Sequence, residues 1–486
     1  MNMESRDYSG KWLVLISVSF GVFLATIDSS IVNISLPTLV NDLHTSLSAV
    51  QWVVLAYLLT ITILMPGIGR MADMIGKKSL YILGFSIFLA GSLLCGISSR
   101  IEFLVGFRVL QAIGGAFMMA LGPALLVQSF PPEERGRALG INGLAVSLGI
   151  ICGPTLGGVI LANLNWHWIF FVNLPVGAIA IPIAIRSLPK GERSRGEKFD
   201  IPGAALLFLT LASLLFSMTF AQDTGFVSFQ TLGLFCLFII SLVGLIQTEK
   251  HVSQPLIELS IFKNRVLRTN LITGFLTFIA SSGIVFLIPF YLQNVLRYDP
   301  ELAGILMAVF PVMLGIAGPI SGWLSDRFGF HLLTVTGLLV LSLGYFGLTQ
   351  LSVSTSSWEF ALIYLPIGIG MGLFQSPNNS SVLGSASSER LGVVSSLLAI
   401  TRTLGQTCGT AVIGSLWAIL VMGQSSASGS GLNNVTLAPI QNQVTGLHTV
   451  SIILGILLFA GTILSVIVWV RESRKDNRKP SLIMEK

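Results

Sequence analysis

Apolar runs of about 20 residues recur along the whole chain, separated by short stretches that hold Gly, Pro or charge. Reading from break to break places spans near 12–37, 48–69, 79–98, 102–128, 137–161, 166–186, 201–221, 229–248, 269–293, 301–322, 332–351, 357–379, 391–420 and 447–470. A hydrocarbon core of about 30 Å takes roughly 20 apolar residues as helix, whereas the strands of a membrane barrel alternate over about ten. The runs are long and unalternating. The pattern therefore predicts an all-α polytopic membrane protein with about fourteen transmembrane helices.

Composition agrees with that reading. With 53% hydrophobic and 10% charged residues and a mean hydropathy of +0.82, the 486-residue chain has too few ionisable groups to cover a water-soluble globule. Cys95, Cys152, Cys236 and Cys408 all fall inside apolar runs without paired spacing, so they read as small core residues. The first run is longer than a signal-peptide core and shows no small-residue cleavage site, which makes it a retained first span. Of the 28 Lys and Arg, only Arg100 and Arg297 fall on one side, Arg108 and Arg402 lie within spans, and the rest gather on the other side. By the positive-inside rule both termini are expected in the cytoplasm of a cell-membrane protein. The basic balance is then orientation signal and calls for no nucleic-acid partner. The tail 471–486 reads as a stop-transfer flank that can touch anionic lipid.

The chain repeats itself. Gly69-Arg-Met-Ala-Asp73-Met-Ile-Gly76 returns as Gly322-Trp-Leu-Ser-Asp326-Arg-Phe-Gly329, and Glu134-Arg135-Gly136 is echoed by Glu389-Arg390-Leu391-Gly392. These pairs imply two six-helix halves in parallel repeat. The expected organisation is a cytoplasmic N-terminus 1–11, a first half 12–186, a linker 187–268 carrying two extra helices, a second half 269–470 and a basic tail 471–486.

Asp28 is the one carboxylate inside a span; the other acidic residues lie in loops, tails or span ends. An ionised side chain there costs at least about 2.5–3.5 kcal/mol on insertion scales, so it needs a polar cavity or a partner. At 1.5 Å per residue Asp28 lies about 24 Å from the cytoplasmic end of span 1, and Arg108 roughly 9 Å inside the outer end of span 4. The two depths match. Removal from water favours a protonated carboxyl and a nearby cation favours an ionised one, so relative movement of such a pair switches proton affinity. Two other readings fit the same residues: a structural carboxylate bonded to Asn33 or hydroxyls, and a permanent ion pair that orders the bundle.

Gly149, Gly153 and Gly157 recur at every fourth residue, hence on one helix face, with Pro154 and Gly158 beside them; such a face admits close helix approach. In the segment 69–78, read as a loop, Gly76 suits a tight turn, Asp73 can pair with Arg135 or Arg137, and Lys77 and Lys78 carry charge. Such contacts would hold the cytoplasmic side closed; for the lysines, topology signalling alone is sufficient.

These residues resemble the major facilitator superfamily, specifically its fourteen-span drug:proton antiporter branch. Gly69–Lys78 matches the superfamily signature Gly-x-x-x-Asp-x-x-Gly-Arg/Lys-Arg/Lys, and the copy at 322–329 lacks the trailing basic pair, having Phe330-His331. Arg108-x-x-Gln111-x-x-Gly114-Gly115 is similar to the fourth-span motif, and Gly149–Gly158 to the antiporter motif Gly-x-x-x-Gly-Pro-x-x-Gly-Gly. Asp28-Ser-Ser-Ile-Val-Asn33-Ile-Ser-Leu-Pro37, Trp52-x-x-x-x-Tyr57-Leu58 and Trp166-x-Trp168-Ile-Phe-Phe-x-Asn173-x-Pro175-x-Gly177 resemble the branch itself. The resemblance implies alternating access by two halves, a substrate cavity between them, export driven by inward proton flow, Asp28 and Arg108 in proton coupling, and gating by Gly69, Asp73, Gly76, Lys77, Lys78, Arg135, Arg137 and Asp326.

The second half has no membrane-embedded acid, unlike some relatives that take dications. It offers Arg402, about 18 Å into span 13, with Gln293, Gln375, Asn378 and Asn379. With Asn33 and Gln111 these are the substrate-cavity candidates, and they suit neutral, zwitterionic or anionic solutes. The expected activity is proton-coupled export of a hydrophobic or amphipathic small molecule, a drug or a secreted metabolite, by a monomer in the lipid bilayer. An accessory export partner stays open. No cofactor, metal or catalytic group is expected. Uptake by symport, and a non-transporting membrane sensor or scaffold, are the competing readings.

Overall fold

The computed structural model describes residues 10–131, 134–189, 201–224, 228–251, 264–384, 391–423 and 432–476. The side chains of Asp73, Arg135, Arg137 and Asp326, the echo at 389–390, the linker segments 190–200, 225–227 and 252–263, and the tail after 476 lie outside the described residues. All regular structure among them is helical: α1 Lys11–Asp42, α2 Leu47–Ile75, α3 Lys77–Ile97, α4 Ile101–Ser129, α5 Arg135–Asn163, α6 Trp168–Phe171, α7 Asn173–Ser187, α8 Ile201–Thr224, α9 Phe229–His251, α10 Arg265–Phe290, α11 Pro300–Met307, α12 Val309–Phe328, α13 Phe330–Gly347, α14 Ser357–Gly384, α15 Leu391–Gly423 and α16 Ile440–Asp476. Thirteen spans among the described residues are long and apolar enough to cross a membrane. The remaining expected span, 201–221, is α8, whose described apolar stretch Pro202–Leu214 is shorter.

Two expected single spans are each built of two helices. Val172 separates α6 from α7, and Ala308 separates α11 from α12. Pro175 and Pro311 have no N–H to give to the carbonyls of Phe171 and Met307, four residues back, so the ladder opens there. The segment 69–78, read as a loop from its glycines and charge, is mostly helix. α2 runs on to Ile75, Gly76 alone joins it to α3, and its φ of 112° is a conformation that only glycine adopts freely. Gly329 joins α12 to α13 with φ 84°. The sequence repeat thus has a backbone counterpart, the same one-residue joint at both copies.

The chain forms two compact units. Unit 1 comprises Met1–Leu256 with Val285–Ala308 and Thr410–Gln443. Its core of Tyr57, Tyr81, Phe85, Phe88 and Phe117 lies among α1 to α4. Glycines set the spacing of α3 and α4. A Cβ on Gly114 would come within 2.7 Å of the Phe88 Cα, and one on Gly91 within 2.6 Å of the Gln111 nitrogen. α8 and α9 pack as a pair, with Phe216 of α8 against Trp52 of α2 (5.9 Å between rings). Phe235, Ile239 and Ile240 of α9 are exposed, an apolar face compatible with contact to lipid.

Unit 2 comprises Ile257–Ile284, Val309–Gly409 and Val444–Lys486. Small polar side chains tie its helices together, as is usual where lipid removes the hydrophobic drive for association. Asn270 donates to Ser381 (2.7 Å), Ser321 to the Leu373 carbonyl (2.9 Å) and Ser342 to the Gly455 carbonyl (2.8 Å).

Because Gly114 has no room for a side chain, Gly114→Val is expected to cost about 1–3 kcal/mol and to lower the detergent melting temperature. Gly106→Ala, at a position with open space around the Cα, should leave it unchanged.

Candidate functional site

Four helices of unit 1 meet at one carboxylate. Asp28 sits in mid-α1 and is fully buried. Arg108 and Gln111, one turn apart on α4, and Asn173, first residue of α7, all converge on it. The Arg108 Nη1 donates to Asp28 Oδ2 at 2.5 Å, while Gln111 Nε2 and Asn173 Nδ2 donate to Oδ1 at 2.7 and 3.0 Å. Ser92 of α3 accepts from both amides, at 2.8 and 3.3 Å, and passes its own proton to the Phe88 carbonyl. All these side chains are at most 1% exposed.

Arg108 has partners apart from the carboxylate. Its Nε donates to the Val53 carbonyl at 3.0 Å and Nη1 to Gln111 Oε1 at 2.7 Å. Its guanidinium carbon lies 4.1 Å from the centre of the Tyr57 ring and 5.8 Å from that of Phe170, within cation–π range. Loss of the Asp28 charge would not strand the cation. Asn173 Oδ1, by contrast, is buried with no partner among the described residues. Rotating that amide would exchange a donor for an acceptor beside Asp28, so Asn173 can meet either an ionised or a protonated carboxyl.

The glycine face of α5 packs on the same stretch of α1. A Cβ on Gly149 would meet Thr26 and the Ile27 nitrogen, one on Gly153 would meet Ser30, and one on Gly157 would meet Ile31 and Ile34. Asp28 is thus flanked by a helix that approaches α1 closely through glycines. Gly158 points elsewhere: it abuts Pro300 at the start of α11, while Gly304 abuts the Pro154 carbonyl. Nearby in unit 1, Gln51 donates to the Thr410 carbonyl (2.5 Å) and Gln293 to the Ile34 carbonyl (2.9 Å). These four contacts explain why residues 285–308 and 410–443 belong to unit 1.

A family model described as Major Facilitator Superfamily matches residues 18–410. The chain belongs to that superfamily. It is 36% identical over 84% of its length to the riboflavin transporter RibZ of Clostridioides difficile, covering 88% of that protein. It is 33% identical to the multidrug transporter MdtP of Bacillus subtilis, over 86% of this chain and 77% of the other, and 29% identical to the tetracenomycin C resistance and export protein of Streptomyces glaucescens, over 84% and 76%. Among solved structures, a bacterial homologue of the human lysosomal transporter Spinster superposes with a TM-score of 0.67 at 17% identity, over 96% of this chain and 97% of that one. That likeness shows the fold. As a member of the major facilitator superfamily, the chain is a multi-pass membrane transporter of a small molecule and not an enzyme. Its multidrug relatives are consistent with the drug:proton antiporter branch.

Of the residues singled out in the sequence, Asp28, Arg108 and Gln111 come together. Asn33 does not join them; its amide donates to the Ser29 carbonyl. Lys78 donates to the Leu188 carbonyl at 2.7 Å, and Lys11 pairs with Glu134 at 2.6 Å, at the end of unit 1 where α1 and α5 begin. Gln375, Asn378 and Arg402 lie in unit 2. Sequence reasoning gave no role to Asn173, Ser92, Tyr57 or Gln51. Tyr57 and Asn173 stood within the motifs that resemble the branch, and Asn173 is also a polar residue two before Pro175 at the start of an apolar helix.

Arg108→Gln leaves an ionised carboxylate buried without its cation, and breaking such a pair costs about 3–5 kcal/mol. A lowered melting temperature is expected by thermal unfolding in detergent. Asp28→Asn combined with Arg108→Gln should recover much of the loss.

Proposed function

We propose that this protein is a proton-coupled antiporter that exports a hydrophobic or amphipathic small molecule, a drug or a secreted metabolite, by alternating access. In this reading it sits in the cell membrane with both termini cytoplasmic, and its halves 12–186 and 269–470 flank an inserted helix pair. The observation that carries it is the Asp28 carboxylate, buried inside a span and surrounded by groups able to accommodate two protonation states.

A proton arriving at Asp28 cancels its charge and the Coulomb attraction to Arg108. The cation stays held by Val53, Gln111 and Tyr57. The tie between α1 and α4 is weakened, and α1 is freed to shift along the glycine face of α5. Coupling follows if only one access state lets Asp28 exchange its proton with a given side. With the proposed orientation, the contacts of Gln51, Gln293, Gly158 and Gly304 belong to the outer end, and they support a state closed to the outside. Closure at the cytoplasmic end is assigned to Asp73, Arg135, Arg137, Asp326, Lys77 and Lys78. The relatives named for multidrug transport, resistance and export support an outward direction, and the riboflavin transporter supports a metabolite as cargo as readily as a drug.

In acid-loaded inverted vesicles, amphipathic compounds that are substrates should release protons, as read by a pH-sensitive dye. Asp28→Asn is expected to abolish the release at equal membrane abundance while retaining exchange of labelled for unlabelled substrate. Undiminished proton release by that variant would overturn the assignment, and proton uptake alongside substrate would indicate symport.

A further inference from the structure

The two buried arginines are in opposite situations. Arg108 has a protein carboxylate; Arg402, partly buried in mid-α15, has no hydrogen bond or ion pair among the described residues. Its one contact of note is the Phe278 ring of α10, whose centre lies 5.9 Å from the guanidinium carbon. Described carboxylates of unit 2 are engaged at helix ends: Glu359 accepts from the Ser356 nitrogen at 2.8 Å, and Glu472 pairs with His331 at 2.9 Å.

A second unsatisfied group lies alongside. Asn378 of α14 is 2% exposed, and its Oδ1 is buried with no partner among the described residues. Its Nδ2 would be 3.4 Å from a Cβ on Gly274, and the Thr401 Cγ2 would be 3.9 Å from the same point. Gly274 is one turn before Phe278 on α10, and Thr401 is the neighbour of Arg402. One turn of α10 therefore gathers Asn378, Arg402 and an aromatic face. Gln375 and Gln406, one turn from Asn378 and Arg402 on their own helices, also lack hydrogen bonds among the described residues. An unpaired cation and an unpaired buried acceptor beside a ring are costly to maintain unless a ligand completes them.

We propose that Arg402, Asn378 and Phe278 form a substrate-anchoring subsite for a flat aromatic molecule bearing an acidic oxygen, such as a carboxylate. The anionic oxygen takes the guanidinium, whose planar fork suits it. A neighbouring N–H or O–H of the ligand donates to Asn378 Oδ1, and the ring of the ligand lies against Phe278. The assignment rests on the transport reading above and narrows its cargo: cations are rejected by Arg402.

The test is binding without any gradient, which separates it from proton coupling. The full-length protein in nanodiscs is melted with naphthalene-2-carboxylate, with 3-hydroxynaphthalene-2-carboxylate, which adds a donor, and with 2-naphthyltrimethylammonium. Wild type should be stabilised by both carboxylates, more by the hydroxylated one, and not by the cation. Arg402→Gln should lose both shifts. Arg402→Lys, which keeps the charge and guards against a folding artefact, should keep a reduced shift. Asn378→Ala should erase only the advantage of the hydroxyl. Equal shifts from anion and cation, or an undiminished carboxylate shift in Arg402→Gln, would overturn the subsite. Loss of proton release in Asp28→Asn would still support the antiport reading in that event.

Discussion

The buried carboxylate of Asp28 governs the packing of α1, α3, α4 and α7. Taken out of water with no partner, a carboxylate costs far more than any helix contact returns. Every neighbour therefore has to contribute a donor or orient one. Arg108, Gln111 and Asn173 donate, and Ser92 fixes both amides. The break at Val172 is part of this arrangement, since it makes Asn173 a helix start aimed at Asp28. Pro175, which opens the ladder, is in that sense as much a determinant of the site as the polar residues themselves.

The glycine face of α5 has a different task. Side chains at Gly149, Gly153 and Gly157 would occupy positions held by Thr26, Ser30, Ile31 and Ile34. The two helices therefore approach closely on the face of α1 that carries Thr26, Ser30, Ile31 and Ile34, beside the polar centre at Asp28. A leucine-rich interface would interdigitate instead. Ser30 donates to the Gly149 carbonyl at 3.0 Å and to the Ile27 carbonyl at 3.1 Å, an alternative acceptor on its own helix being present throughout.

Much of this was legible in the amino-acid sequence because lipid imposes simple rules: long apolar runs, rare charges, and basic residues on one side. Depth counting brought Asp28 and Arg108 together correctly. Spacing put Gln111 on the same face as Arg108, although it was read as lining a cavity. Ser92 was illegible because a serine in a helix usually bonds its own carbonyl four residues back, and Ser92 does so as well. The helix breaks at Val172 and Ala308 were signalled by Pro175 and Pro311, but hydropathy, which runs on through both, does not register them. The segment 69–78 misled in the other direction, since glycine and charge suggested a loop where Gly76 alone bends the chain. For Arg402 depth and charge were readable in the sequence, but not which side chains surround it.

In the proposed antiport cycle, charge would also link the two arginines energetically. A proton entering through Asp28 would move one positive charge inward. An anion leaving by way of the proposed Arg402 subsite would move one negative charge outward, so the two displacements would add across a membrane that is negative inside. Each is driven by roughly 2.3 kcal/mol per 100 mV. A monovalent cation leaving in exchange for one proton would instead cancel the electrical term and leave only the pH gradient. A cycle with a single embedded acid thus drives an anionic passenger more strongly than a cationic one. A second acid, which a dication exporter would need in order to neutralise its cargo, would compete with an anionic substrate for Arg402 if the proposed subsite holds.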